Sequence, residues 1–405
     1  MDYFRFILAH RRFLGFGVLL VGLSSVGQTF VLSLFGGHLR EAFALTNASF
    51  GLIYSLATLA SAVTLIWAGR LVDRVDLRRM TAVVLVGAGV GCALLAGSRG
   101  VVMLTVAFFV LRLTGQGLMV HVAQTSMARY FEAGRGKAVS IAAMGLPIAE
   151  GIMPLLMVSA AAAAGWRMTW AAAAGVMVLI MLPLALASLR GHDRRQADHE
   201  MRRQLSEQAH DQRDRRLSEV LRHPLFYTLL PAVMAPPFII TALFIHQVPL
   251  AVEQGWSLRW LAYSFTGYAV THLLVLLATG PLVDRVGARR LVPYYLVPMI
   301  LGMATLSLAV GDWVAPVYLA CAGLSVGAAG TIMGSLWAEL YGTTHLGSIR
   351  AVAQSCMVMT TALAPVLAGV FLDAGVMPSG LAGAFAVYAA AASLLAAIGI
   401  RSQRG

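Results

Sequence analysis

Two ionisable residues stand deep inside long apolar runs, Arg112 in "VLRLTGQG" and Glu150 in "GLPIAEGIMP". In hydrocarbon a charge keeps company with a counter-charge, a bound ion or a mobile proton, so each is a candidate for proton coupling or for holding a charged solute. If the run holding Arg112 points inward and the next points outward, Arg112 lies about 16 residues from the inner end and Glu150 about 12. That is a difference in depth of roughly 6 Å at 1.5 Å per residue. The two are close enough to pair, and the same spacing suits a static ion pair that only fixes packing. Gln116 shares the run with Arg112, and Gln28, one turn after Ser24, gives the first run a polar face. In the second half Ser264, Tyr268 and His272 recur every four residues as one polar stripe, which fits a cavity wall or an interhelical hydrogen bond. His272 is a candidate proton carrier. His121 falls about 180° around its helix from Arg112 and is expected to serve packing or hydrogen bonding instead.

The elements that must position these residues follow from composition. Of 405 residues 59% are hydrophobic and only 12% charged, with a mean hydropathy of +0.78, which is more apolar matter than a water-soluble core would bury. Runs of roughly 20 apolar residues, enough to cross the hydrocarbon, lie at about 13–36, 49–70, 79–98, 101–127, 138–162 and 168–189, and again at about 225–249, 258–281, 291–310, 314–341, 348–372 and 376–399. The expectation is an all-α integral membrane protein with twelve transmembrane helices in two six-helix bundles, residues 1–189 and 224–405. They are joined by the charged linker 190–223, partly helical and lying at the membrane surface. The first run is read as a retained membrane span, because no short apolar core with a small-residue cleavage site precedes it.

Short loops rich in Arg and Lys stay in the cytoplasm. Arg5, Arg11 and Arg12, then Arg70, Arg74, Arg78 and Arg79, then Arg129, Arg135 and Lys137 all fall on one side; the linker, Arg285, Arg289, Arg290, Arg350, Arg401 and Arg404 keep that parity. Both termini are therefore expected in the cytoplasm of a cell (inner) membrane protein. Trp166, Trp170, Trp256, Trp260 and Trp313 come at the outer ends of spans, where indole rings favour the headgroup level. The net charge of +12 reads as topology, with the lipid bilayer and not nucleic acid as the partner. Cys92, Cys321 and Cys356 lie inside apolar runs without paired spacing, so buried thiols are expected, and neither a disulfide framework nor a metal site. No nucleophile, base and ligand set gathers at one depth and no phosphate-binding loop occurs, so no enzyme and no cofactor are expected.

The charged phrase "GRLVDRVDLRR", Gly69 to Arg79, returns as "GPLVDRVGARR", Gly280 to Arg290, at an offset of 211 residues. At the same offset Tyr130 matches Tyr341, Gly136 matches Gly347 and Pro154 matches Pro365, so the register holds through four spans and points to duplication. Six spans return the chain to its starting side, which relates the halves by an axis along the membrane normal and puts a substrate site between them.

The doubled phrase resembles the signature loop of the major facilitator superfamily, G-x-L-x-D-R-x-G-x-[KR]-[KR], which in that family lies between spans two and three and often again between eight and nine. "GWRMTW", Gly165 to Trp170, is similar to the loop before span six in many members. Arg112, Gly115 and Gly117 resemble the family's span-four pattern, in which the arginine is associated with proton coupling or substrate anions. The resemblance implies a secondary active transporter working by alternating access. It also implies gating roles for Gly69, Asp73, Arg74, Arg78, Gly280, Asp284, Arg285 and Arg289, with Asp73 near the start of span eleven at Ser348 and Asp284 near Lys137. Asp76 departs from the pattern: it stands where the family has a glycine, which Gly287 keeps, and is expected to make the tight turn as a residue tolerant of positive φ. With Arg112 central, an organic anion coupled to protons is the first expectation for the substrate, carried by a monomer. The alternatives are a drug/proton antiporter, which the nineteen methionines encourage and the placement of Glu150 where that group has a small residue opposes, and a non-transporting membrane sensor.

Overall fold

The computed structural model describes residues 3–131, 135–192, 195, 217–341 and 346–402, and among these every regular element is helical. Most of the linker 196–216 lies outside the described residues; its end forms the short helix Leu217–Val220.

Among the described residues ten helices are long and apolar enough to cross a membrane. One of them, Lys137–Ser188, runs for 52 residues, about 78 Å if straight and more than twice the hydrocarbon thickness. It does not run straight: Gly165 takes φ 79°, ψ 158° inside it, a conformation that glycine adopts without a Cβ penalty. The segment therefore holds the fifth and sixth predicted spans. The ninth is a correction, because only Val297–Leu308, 12 residues, is a continuous apolar helix there. Pro293 and Pro298 explain the shortening: neither offers an N–H, and the chain passes through turns before the helix resumes with Pro298 in its first turn. Large apolar side chains such as Leu179, Val102 and Leu308 are 75%, 79% and 85% exposed, as lipid-facing residues are and core residues are not.

The chain packs as two compact units, one of Met1–Phe35 with Leu56–His210 and the other of Gly36–Ser55 with Asp211–Gly405. Span one, expected as an unbroken helix over 13–36, is broken. A helix Tyr3–Leu23 passes into the tight turn Ser24–Gly27, Gln28 is extended (φ −84°, ψ 152°), and Thr29–Leu32, Ser33–Phe35 and Gly36–Phe43 follow as short pieces. Hydroxyls of Ser24 and Ser33 bond the carbonyls of Val21 and Thr29, both at 2.6 Å, and so compete with the helix ladder. Such a break is tolerated in a membrane only where protein covers it, and Ser24, Ser25, Val26 and Gly27 are all buried.

Span seven, Pro224–Ile245, carries Pro231, Pro236 and Pro237 yet remains one helix. Pro236 cannot donate to the carbonyl four residues before it, Ala232, and the Tyr295 hydroxyl donates there instead; Tyr388 donates to the Pro231 carbonyl at 3.1 Å. The change Tyr295→Phe removes that donor while keeping the ring. It should cost about 1 kcal/mol or more, read as a melting temperature of the purified protein lower by about 2 °C or more.

Trp170 and Trp256 also correct an expectation. Both are buried, Trp170 completely and against Phe35, while Trp260 and Trp313 remain exposed. Trp256 and Trp260 donate their ring N–H groups to the carbonyls of Gly311 and Asp312, so a hydrogen bond to the neighbouring loop decides their place. Of the three cysteines, all free, Cys92 is buried and the other two are half-buried.

Candidate functional site

Arg112 begins an eight-residue π-helical stretch, Arg112–Met119, that interrupts span four between Val101–Leu111 and Val120–Tyr130. A π-turn takes in an extra residue and is frequent at functional sites, and a second one lies at Val176–Met181; no feature of composition signals it in "RLTGQGLM". The arginine is only 2% exposed. Its Nε donates to the Thr58 hydroxyl at 3.1 Å and its Nη1 to the Gly27 carbonyl at 3.2 Å, the carbonyl at the break of span one. A guanidinium suits this task because its planar fork serves two acceptors in different directions.

Two close backbone contacts position the pair. A Cβ at Gly27 would lie 2.1 Å from the Leu111 carbonyl oxygen, and one at Gly115 would lie 2.9 Å from the Gly27 backbone, so spans one and four touch main chain to main chain. Span five meets the same helix on another side, where a Cβ at Gly145 would fall 2.2 Å from the Val18 carbonyl oxygen. Glu150 follows Gly145 by five residues and is buried, 4% exposed. Span one is thus the shared neighbour of the elements that carry Arg112 and Glu150. Gln28 and Gln116 are half-buried, and the Gln28 amide reaches the Ser24 hydroxyl at 3.5 Å. His121 is exposed where Arg112 is buried.

In the second unit Ser264, Tyr268 and His272 are all buried. The Ser264 hydroxyl bonds back to the Trp260 carbonyl at 2.9 Å, and the Tyr268 ring packs edge-on to His272 and Phe244, each at 5.7 Å. Their helix, Leu258–Val286, is pressed against Val314–Tyr341, where a Cβ at Gly323 or Gly327 would lie 2.4 or 2.5 Å from the carbonyl oxygens of Tyr268 and His272. At the 211-residue offset Gly323 and Gly327 are the counterparts of Arg112 and Gln116. The duplication is therefore not kept at these positions: one half carries polar side chains where the other has bare glycines.

It is kept in the loops. Arg78 donates to the Leu189 carbonyl at 3.4 Å and Arg289 to the Ile400 carbonyl at 3.3 Å, and Leu189 and Ile400 are again 211 residues apart. Each arginine meets the last carbonyls of its own half, where a cation is favoured by the helix dipole. Arg285 is exposed; the surroundings of Gly69 and the side chains of Asp73, Arg74 and Asp284 lie outside the described residues, and Gly280 falls within the helix Leu258–Val286.

Asp76 does not take positive φ, which corrects the expectation for its turn. At φ −53°, ψ 137° it caps the next helix, its carboxylate accepting from the N–H groups of Arg78 and Arg79 at 3.0 and 3.2 Å. The second copy turns with Gly287 at φ 87°, which has no side chain to cap with, and there Glu339 accepts from the Arg289 N–H at 3.2 Å. Glu339 is the counterpart of Ala128 and Asp76 of Gly287, so one carboxylate per loop is conserved in effect though not in position. His246 is buried with Nε2 2.9 Å from the Pro365 carbonyl oxygen.

These features define a multi-pass helical transporter fold with a duplicated charged loop. The sequence profile of the Major Facilitator Superfamily matches residues 17–265, and the chain belongs to that family. No curated protein sequence matches it. Among solved structures it is similar to a bacterial homologue of the human lysosomal transporter Spinster in inward-facing conformation. The unoccupied form has 14% identity and TM-score 0.64, covering 97% of this chain and 94% of the other; the occupied form has 14% identity and TM-score 0.67, covering 99% and 96%. It is also similar to the nucleoside transporter NupG in a point mutant, at 12% identity and TM-score 0.67 over 96% of this chain and 99% of the other. Likeness at these identities is a likeness of fold.

Proposed function

We propose that the chain is a secondary active transporter of a small organic solute, an organic anion first, that works by alternating access and is driven by protons. The observation that carries this reading is Arg112, buried at a π-helical break in span four and bonded to the opened backbone of span one. The planar fork of an arginine takes a carboxylate or phosphate through two parallel N–H bonds, and a guanidinium at this place in the spans supports an anionic solute on that chemistry. Glu150, buried on the adjoining span five, is the proton carrier in this reading. The protein works from the cell (inner) membrane as a monomer with both termini in the cytoplasm.

The test is uptake into proteoliposomes with and without an imposed pH gradient, using a panel of labelled anions, neutral metabolites and cationic drugs. The expected result is anion uptake that the gradient stimulates. Cationic drug flux alone would replace the anion reading with drug antiport, and tight binding without flux of any solute would make the protein a sensor. In Glu150→Gln, gradient-driven accumulation should fall by about tenfold or more while exchange of solute for solute continues; accumulation at the parental level would place coupling elsewhere.

A further inference from the structure

Asp373 ends the helix Leu346–Asp373 and accepts three hydrogen bonds from the start of the helix Asn47–Arg74, far away in sequence. Its Oδ1 takes the Asn47 N–H at 3.1 Å and the Asn47 side-chain amide at 3.0 Å, and its Oδ2 takes the Ala48 N–H at 2.8 Å. The helix thus has a carboxylate cap supplied by another span, set against the positive end of its dipole. Arg40 completes the cluster, donating through Nη1 to the Asn47 side-chain oxygen at 2.6 Å and through Nε to the Gly36 carbonyl at 3.3 Å. Burial draws the Arg40 guanidinium below its ordinary value and the Asp373 charge counters that pull. Behind the cluster the two helices touch backbone to backbone: a Cβ at Gly51 would lie 2.4 Å from the Pro365 carbonyl oxygen, and one at Gly369 would lie 2.6 Å from that of Asn47.

We propose that Asp373, with Asn47 and Arg40, is the latch of the outer end of the transport path, holding the starts and ends of spans two and eleven together until the outer side opens. Three features suit it to that task. The bonds are exposed ones, each exchangeable for water when the ends separate. The glycine contacts behind them are made to backbone atoms, so at Gly51 and Gly369 the two helices approach with no side chain of either residue between them. The cap also reverses the inner arrangement that the family resemblance implies. There a carboxylate at the end of span two, Asp73, approaches the start of span eleven; here a carboxylate at the end of span eleven closes on the start of span two. A bond at each end of one helix pair, only one of which holds at a time, biases a two-state equilibrium.

The proposal rests on the alternating-access reading, and hydrogen–deuterium exchange of the full-length protein in lipid nanodiscs tests it without any solute. In Asp373→Asn an N–H group faces donors that the carboxylate used to accept from. Exchange should then rise about tenfold, roughly the loss of one good cap, both in peptides covering residues 45–55 and in those covering 360–372, while peptides around Arg112 stay unchanged. Asp373→Glu should restore most of the protection, and Asn47→Ala, which keeps the carboxylate, should give a smaller rise in both segments. A rise confined to residues 45–50 means local fraying of a capped helix and overturns the latch, as does an unchanged rate. Should Asp373→Asn fail to fold, Asn47→Ala carries the same test, with no rise at 360–372 as the overturning result. Exchange that rises in both segments in a protein that moves no solute keeps the latch and removes the transport reading; solute flux with flat exchange does the reverse.

Discussion

Replacing Arg112 by glutamine should reduce solute flux in proteoliposomes by about ten- to a hundredfold. The estimate comes from two charge-assisted hydrogen bonds, to Thr58 and to the Gly27 carbonyl, each worth about 1.5–3 kcal/mol, of which a glutamine amide reaches at most one. The loss therefore exceeds the 1.4 kcal/mol that corresponds to a factor of ten, before the missing attraction for an anionic solute is counted. Arg112→Lys separates the two contributions. It keeps the charge but not the planar fork, so it cannot serve both acceptors, and it should retain anion binding with a flux about tenfold lower. Parental flux in Arg112→Gln would remove Arg112 from the mechanism and with it the preference for anions.

Among the described glycines, Gly27→Ala should be the most damaging alanine substitution. The added carbon would fall 2.1 Å from the Leu111 carbonyl oxygen and 2.9 Å from the Gln116 nitrogen, and both are main-chain atoms that cannot rotate aside. Overpacking of this kind costs about 1–3 kcal/mol or more, and relief by moving the break would carry the Gly27 carbonyl away from Arg112. Transport and thermal stability should fall together. The comparison that isolates the steric cause is Gly175→Ala, where nothing lies within 4 Å; there stability should be unchanged or slightly higher, because alanine favours the helix. Equal damage at both positions would count against close packing as the cause.

What could be read from the residues alone differed by kind of feature. Span positions were legible because crossing a membrane demands apolar length, and length is a one-dimensional property: the predicted 79–98 appears as Leu77–Ala96 and 314–341 as Val314–Tyr341. The breaks were not, since the hydroxyls of Ser24 and Ser33 look alike whether they bond back within a helix or open it. The π-stretch at Arg112 changes the hydrogen-bond register without changing composition. Arg112 and Glu150 stood out because charge among apolar residues is conspicuous, and both are buried. Asp373, Glu339 and Glu253 did not, because a carboxylate at a span end resembles any loop charge. Their partners are the N–H groups of other helices, those of Asn47 and Ala48, of Arg289 and of Ser379, and backbone donors carry no sequence signature. Asp76 was noticed as a departure from a pattern, yet its role as a cap follows only from the backbone around it.

The cap on Ala48 comes from a residue 325 positions later in the chain. At roughly 5–20 residues per second of synthesis, Asp373 leaves the ribosome about 15–65 s after Ala48 does. Residues 36–55 belong to a unit whose other members all begin at Asp211, so for most of that interval the ends of the first two spans have no final neighbours. Arg78, by contrast, meets Leu189 as soon as the sixth span is complete. The first half of the protein is thus assembled in order of synthesis except at one corner, which waits open in the nascent chain until the eleventh span arrives to shut it.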